Sequence, residues 1–270
     1  MLLPGEETYR RLYDNLKSCG ALAVAFSGGT DSGFLLAAAS DALGDNLIAY
    51  TIQTSYISSR EIGEALEFTG QRGIRHRIIR VDFPEIIRQN PPDRCYLCKK
   101  NIFSTLLTEA AADGFGILAD GTNADDTSLH RPGLQALKEL KIRSPLMESG
   151  LSKAEIRRLS SLLHLPGSDK PALACLLTRI PYNTEIQEKD LVMIEKAETF
   201  LHELGFPDVR VRTHGTIARI ETDPSNLAAF LDKAVSGKIT IYFKEIGYTF
   251  ITLDLEGYRM GGMDQKNNKM

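Results

Sequence analysis

The chain has 270 residues, 43% hydrophobic and 25% charged, enough for one large core or two small ones. Thirty-two basic against thirty-five acidic side chains give a formal charge of −3, so the surface as a whole is not that of a nucleic-acid binder, although a local basic cleft stays open. No apolar run reaches the roughly 18 residues of a membrane span, four cysteines are too sparse for a disulfide scaffold, and the polar opening MLLPGEETYRR does not suit a secretory signal, so a cytoplasmic protein is expected.

Residues 6–17 carry Tyr9, Leu12, Tyr13 and Leu16 at helical spacing and predict an amphipathic helix. The continuous apolar run 21–26 predicts a strand buried on both faces, and it leads into Ser27-Gly28-Gly29-Thr30-Asp31-Ser32. A nearly all-round apolar helix is expected over 33–43, then a strand at 46–53, a helix at 59–72 and a strand at 75–81. Helices follow near 84–89 and over 99–112, and a strand at 116–119 ends in Asp120-Gly121-Thr122-Asn123. Ser152 and Glu155 read as a capping box opening a helix to about Leu163. Beyond the break at Pro166, Gly167 and Pro171, the pattern gives a long helix at 185–204 and paired strands at 209–213 and 216–221. Another helix starts over 224–233, and a last strand covers 248–255.

Strands alternating with helices predict an α/β first domain with a parallel sheet, over 1–168. A small α/β or α+β second domain is expected over 169–263, with a disordered polar tail at 264–270. Ligands in such sheets gather at the carboxyl ends of the strands, which places 27–32 and 120–126 on one rim.

The hexapeptide after the first strand suits phosphate. Gly28 and Gly29 let backbone approach a ligand, the helix start offers amides and a positive dipole end, and Ser27 and Ser32 add hydroxyls. Asp31 would repel phosphate, so it is expected to hold Mg²⁺ or to orient the loop. A Walker loop would carry Lys where Asp31 stands, and the dinucleotide fingerprint G-x-G-x-x-G is absent. A Gly-Gly pair alone would be read as a simple turn, whereas the whole hexapeptide behind an apolar strand favours a nucleotide. Asp120, Thr122, Asn123, Asp125 and Asp126 are candidates to complete the metal and nucleotide site, against the plainer reading of a helix cap and a solvated turn. The loop resembles that of the ATP-pyrophosphatase (PP-loop) superfamily. That resemblance implies an adenine nucleotide alpha hydrolase-like fold and the splitting of ATP, with Mg²⁺, between its α and β phosphates.

Cys95 and Cys98 form a C-x-x-C pair that could share a metal or close a redox disulfide, while a four-thiolate zinc site would need a second pair. Cys175 lies near cationic Arg179, which would favour a thiolate. Three thiolates can hold three corners of a [4Fe-4S] cluster and leave one iron to carry an external sulfide. Inert core cysteines are the alternative for Cys95 and Cys98, opposed by their basic surroundings; Cys19 reads as a small buried side chain. In the second domain Arg210 and Arg212, two apart on one strand face, could clamp a phosphate or carboxylate, although for Arg210 a solvated face is the plainer reading. His214 before Gly215 reads as a turn residue.

Nearly the whole chain resembles the LarE family of ATP-dependent sulfur transferases of nickel-pincer nucleotide synthesis. The resemblance runs through 27–32, Arg94-Cys95-Tyr96-Leu97-Cys98-Lys99, residues 120–126, Arg131-Pro132-Gly133 and Arg143-Ser144-Pro145-Leu146. It continues in the stretch from Lys170 through Cys175 to Tyr182, then in Arg210-Val211-Arg212, Ala218-Arg219-Ile220-Glu221 and Leu255-Glu256-Gly257-Tyr258-Arg259. It implies a pyridinium dicarboxylate mononucleotide as acceptor, adenylated and then thiolated twice. It also implies two possible sulfur routes. In one, Cys175 gives up its own sulfur and becomes dehydroalanine; in the other, Cys95, Cys98 and Cys175 hold a [4Fe-4S] cluster fed by a sulfide donor. The presence of Cys95 and Cys98 favours the cluster. The resemblance further implies substrate-phosphate roles for Arg212 and Arg259, metal-binding roles for Glu198 and Glu221, and a homo-oligomer as large as a hexamer. Two departures touch the acceptor pocket or the Cys175 loop: no Trp precedes Asp169-Lys170-Pro171, and Asn183 stands where many members have Gly. A tRNA thiolase, a nitrogen-transferring adenylating ligase and a non-enzymatic ATP sensor are the competing readings, and the mild acidity weighs against tRNA.

Overall fold

The computed structural model describes residues 7–128, 132–167 and 175–259. The expected boundary between 168 and 169 and the polar tail 264–270 lie outside the described residues. Described residues 7–84 and 93–167 make one unit, and 85–92 with 175–259 make the other.

In the first unit the elements run α1 (Glu7–Ser18), β1 (Leu22–Ala25), α2 (Thr30–Leu43), β2 (Leu47–Gln53), α3 (Ser59–Arg72), β3 (Arg75–Arg80), α4 (Arg94–Ala112), β4 (Leu118–Ala119), α5 (Pro132–Glu139), α6 (Pro145–Glu148) and α7 (Lys153–Leu162). The strands form one parallel sheet in the order β3-β2-β1-β4. Side chains alternate across it. Leu22, Val24, Leu47 and Ala49 enter a core with α1, α2 and α7, while Ala23, Ile48, Tyr50 and Ile52 enter another with α4 and α5. A sheet covered on both faces favours apolar residues on both sides of its central strands, which is why β1 is an unbroken apolar run and β2 is apolar from Leu47 to Tyr50. α2 is buried nearly all round, with Phe34, Leu35, Leu36 and Ala39 fully enclosed. β3 is the edge strand and turns Arg75, Arg77 and Arg80 outward, charges that discourage pairing with another chain.

α2 begins at Thr30, three residues earlier than its apolar run suggests, and Asp31 and Ser32 therefore lie in its first turn. α4 likewise begins at Arg94 rather than 99, which puts Cys95 and Cys98 on one side of its opening turns. The segment near 84–89, expected as a helix of the first domain, is a single 3-10 turn (Glu85–Ile87) and belongs to the second unit. It is held there by Asn90, whose side-chain amide donates to the carbonyls of Ile180 and Pro181, both at 2.9 Å.

The second unit contains α8 (Glu188–Glu203), β5 (Val209–His214), β6 (Ile217–Thr222), α9 (Leu227–Phe230), α10 (Lys233–Glu245) and β7 (Phe250–Leu253). β5 and β6 form an antiparallel hairpin, with His214 ending β5 ahead of the turn, and β7 joins β6 in parallel. Leu191, Ile194, Ala197 and Leu201 make the buried stripe of α8, and Ala197 and Leu201 share a core with Val209, Val211, Ile220, Ile239 and Phe243. Glu198 sits on that same stripe, so folding buries its carboxylate and obliges it to find a cation.

Candidate functional site

β4 follows β3 in sequence but pairs with β1, so the direction of strand addition reverses between β1 and β4. Such a switch point leaves a crevice where two neighbouring loops part. The loops that meet here are 27–29 and 120–123. Gly28 adopts φ +76°, a left-handed conformation that favours glycine, and a Cβ on it would meet the Glu61 carbonyl at 3.1 Å. Gly29 is the residue before α2, and no side chain caps that helix. The first amides of α2 consequently face the crevice with the positive end of the helix dipole behind them, an arrangement suited to phosphate. The hydroxyls of Ser27 and Ser32 lie 3.1 Å apart beside them. Gly121 closes against this turn so tightly that a Cβ would stand 2.8 Å from the Ser32 nitrogen.

The polar residues after β4 hold the rim in shape. Asp120 is buried and accepts from Thr122 Oγ1 at 2.5 Å and from Ser144 Oγ at 2.6 Å. Asp126 Oδ2 accepts the Asn123 amide at 3.0 Å, and Asp125 Oδ2 accepts the Lys153 amide at 2.8 Å. Asp31, expected either to bind metal or to orient the loop, has both oxygens engaged: Lys153 Nζ lies 2.6 Å from Oδ1, and Asn123 Nδ2 donates to Oδ2 at 3.3 Å. No group of three or more metal-ligating side chains occurs among the described residues. Asp31 together with a bound phosphate would offer oxygen ligands of the kind Mg²⁺ takes. Beneath the loop, His76 Nε2 donates to Thr51 Oγ1 at 2.8 Å, and the Thr51 hydroxyl donates to the Phe26 carbonyl at 2.7 Å. Burial pushes the pKa of His76 down, which favours the neutral form of the ring that props the loop. A cleft lined by Gly28, Glu64, Glu67, Phe68, Gln71 and Pro166 carries two carboxylates, which make it a poor place for phosphate.

Cys95 is exposed and Cys98 half-buried, with the Tyr56 hydroxyl 3.3 Å from Cys98 Sγ. Two thiols one helical turn apart fit two corners of an iron–sulfur cluster. Cys175 opens a 3-10 turn (Leu176–Arg179) in the second unit, where its carbonyl accepts from Thr178 Oγ1 at 2.9 Å and from Arg179 Nη1 at 3.3 Å.

The arginines behind Cys175 form a buried lattice. Arg179 grips Glu198 with two bonds of 2.9 and 3.0 Å, and the Val211 amide adds a third to that carboxylate at 2.9 Å. Burial would raise the pKa of Glu198, but the Arg179 charge and its hydrogen bonds prevail and hold it low. Arg212 binds Glu221 Oε2 at 2.8 and 3.0 Å and donates to the Thr178 carbonyl at 2.7 Å, while Arg219 takes Glu221 Oε1 at 2.9 Å. Glu198 and Glu221, expected to ligate a metal, have their oxygens engaged by guanidinium groups, which a cation would have to displace. Arg210 is not solvated either. It is 7% exposed, with its guanidinium 5.3 Å from the Tyr258 ring centre, and burial and then the charge of Arg179 push its pKa down. Arg259 stands apart, exposed and paired with Glu256 at 2.5 and 3.0 Å.

Asn183 adopts φ +56°, a left-handed conformation that Asn tolerates better than most residues, which accounts for the exchange with Gly noted in the sequence. Lys153 was not singled out there, and Ser144 entered only as part of the segment 143–146. The signal at Lys153 is a cation at the first residue of α7, which opposes the helix dipole and favours a carboxylate nearby.

No protein-family model matches the chain. It is 34% identical over 257 residues to the pyridinium-3,5-bisthiocarboxylic acid mononucleotide synthase of Lactiplantibacillus plantarum, covering 94% of this chain and 92% of that protein. It is 39% identical over 246 residues to an uncharacterized protein of Synechocystis, covering 90% and 91%. One of the subunits of the glutamine-hydrolyzing GMP synthase of Thermoplasma volcanium matches at 29% over 182 residues, 60% of this chain and 57% of that one. The parallel sheet with its loop at the switch point is the α/β architecture of a PP-loop domain.

Proposed function

Because the chain belongs to the family of the pyridinium-3,5-bisthiocarboxylic acid mononucleotide synthases, the LarE sulfur transferases, we propose that it adenylates the carboxylates of pyridinium-3,5-dicarboxylate mononucleotide and converts them to thiocarboxylates. The observation that carries this reading is the uncapped start of α2 at the switch point, in a chain similar over 94% of its length to such a synthase.

A carboxylate resists attack by sulfur because its charge and its oxide leaving group both oppose it. Attack of a carboxylate oxygen on the α-phosphorus of ATP breaks the bond to the β-phosphate oxygen, and pyrophosphate leaves. The amides of α2 and the hydroxyls of Ser27 and Ser32 would stabilise that departing charge. Bound Mg²⁺, held by Asp31 together with the phosphates, would neutralise part of it. Asp120, Thr122 and Asn123 keep the facing loop in place. Sulfur then attacks the acyl carbon, the bond to AMP breaks, and two rounds give the bisthiocarboxylate.

Cys175 is the residue proposed to deliver sulfur. As donor, its thiolate forms a thioester, and loss of its α-proton breaks the Cβ–S bond to leave dehydroalanine and the thiocarboxylate. As a cluster ligand with Cys95 and Cys98, it leaves one iron free to present sulfide. The spare thiols at 95 and 98 support the cluster form. Arg212 and exposed Arg259 are the candidates for the substrate phosphate. The reading places the protein in the cytoplasm, where ATP is supplied, as a homo-oligomer. Ile217 and Phe250, paired on β6 and β7 and 38% and 61% exposed, give the second unit an apolar patch for that association. No described helix is long and apolar enough to cross a membrane.

The test is turnover by anaerobically prepared protein, read by iron content and intact mass. Cys175→Ser should still release pyrophosphate with the pyridinium dicarboxylate yet form no thiocarboxylate. About four irons per chain, lost in Cys95→Ser, would establish the cluster route. Loss of one H₂S mass at residue 175 would establish the sacrificial route. Thiocarboxylate formation by Cys175→Ser would overturn the proposal.

A further inference from the structure

Tyr56 follows β2 at the carboxyl end of the parallel sheet and is 1% exposed. Its ring packs edge-on against Phe83, with ring centres 5.6 Å apart and planes at 81°. A phenylalanine would make the same ring contact without burying a hydroxyl, and a buried hydroxyl is costly unless it finds a polar partner. The Tyr56 hydroxyl lies 3.3 Å from Cys98 Sγ, 42 residues away in sequence. While Cys98 is a thiol, either group can donate. A metal-bound thiolate has no proton, so it only accepts, and the phenol is then the donor. The two cysteines of α4 thus stand in unlike surroundings: Cys95 is exposed, whereas Cys98, one turn further, is half-buried beside a phenol. The adjacent tyrosine is committed elsewhere. Tyr96 donates its hydroxyl to Glu139 Oε2 at 2.8 Å and accepts from Lys100 Nζ at 2.8 Å.

We propose that Tyr56 is a positioning residue for the sulfur chemistry, donating a hydrogen bond to the thiolate of Cys98 when that cysteine ligates an iron–sulfur cluster. A hydrogen bond to a ligand sulfur draws electron density off the thiolate and favours the more reduced cluster, which is how such bonds set the potential. Tyr56 therefore guards Cys98 against oxidative loss of its metal, while exposed Cys95 lacks that particular contact. The edge-on packing against Phe83 holds the ring in place, so the hydroxyl is directed at the sulfur before any cluster is assembled.

The inference rests on the cluster form of the proposed function, and its test separates the two. The reduction potential of the full chain, reconstituted anaerobically with iron and sulfide, is measured by redox titration followed by electron paramagnetic resonance. Tyr56→Phe keeps the ring and removes only the donor. It should retain about four irons per chain and melt with wild type. At a given potential its reduced-to-oxidised ratio should fall about tenfold, a potential lower by ~59 mV for a one-electron couple. Tyr96→Phe, which removes the neighbouring phenol, should leave the potential where it is. An unshifted potential in Tyr56→Phe, or an equal shift in Tyr96→Phe, overturns the role of Tyr56 while the cluster reading stands. A folded Tyr56→Phe that holds no iron overturns it too, since the hydroxyl would then retain the ligand rather than tune it. If wild type takes up no iron, the cluster reading fails and this inference with it.

Discussion

At the rim of the first unit, Lys153 and Asp31 meet in a pair that keeps about a quarter to a third of each side chain in solvent. In the second unit, Arg179 with Glu198 and Arg212 with Glu221 are no more than 9% exposed. A partly solvated pair is worth little and opens readily, whereas parting a buried one strands a charge in a medium that cannot hydrate it. The first pair can therefore part at little cost, whereas the pair of Arg179 with Glu198 holds the fold. That contrast also sets apart the two carboxylates expected to bind metal: Glu198 and Glu221 are engaged by arginines within the unit.

The largest test of the contrast is Glu198→Gln. It leaves Arg179 buried without its counter-charge and should lower the unfolding free energy by about 3–5 kcal/mol, read from the midpoint of urea denaturation. A loss too small to move the midpoint would show that the lattice is not structural.

Gly121→Ala comes next. The added methyl presses on the Ser32 amide across the rim and should cost about 1–3 kcal/mol through displaced backbone. Because that displacement reaches the amides proposed to bind phosphate, nucleotide binding should weaken with stability; if it is unchanged, the rim is not the nucleotide site.

The smallest effect is on pH. His76 has a folded pKa below its ordinary 6.5, so the unfolded chain takes up a proton that the folded protein resists. Its contribution to stability is complete above about pH 6.5 and declines as the pH falls. Hydrogen exchange should show mild acid loosening the loop after β1, which His76 supports through Thr51, while the second unit stays protected; His76→Gln should remove the difference.

The sheet of the first unit was legible because β1 is apolar at every position, β2 is apolar apart from Thr51 and Gln53, and strand-to-helix alternation admits few topologies. Helix starts were harder. Thr30-Asp31-Ser32 and Arg94 to Cys98 are polar or chemically suggestive, so they resemble loop, yet a first helical turn needs no apolar face. The capping box at Ser152 was plain because both partners lie within one turn. Contacts such as Lys153 to Asp31, Ser144 to Asp120 and Arg179 to Glu198 join residues 122, 24 and 19 positions apart, and no local pattern announces them.

The eight residues 85–92 leave the first unit after β3, bond to the second through Asn90 and return as α4. The backbone therefore passes from one unit to the other three times rather than once. A single proteolytic nick near 174 would free neither half cleanly, since the N-terminal fragment would carry away a strip whose hydrogen-bonding partners stay behind. Swapping the second unit between relatives would require two splices in the first, and ancestry by simple end-to-end gene fusion would not by itself produce this interlacing.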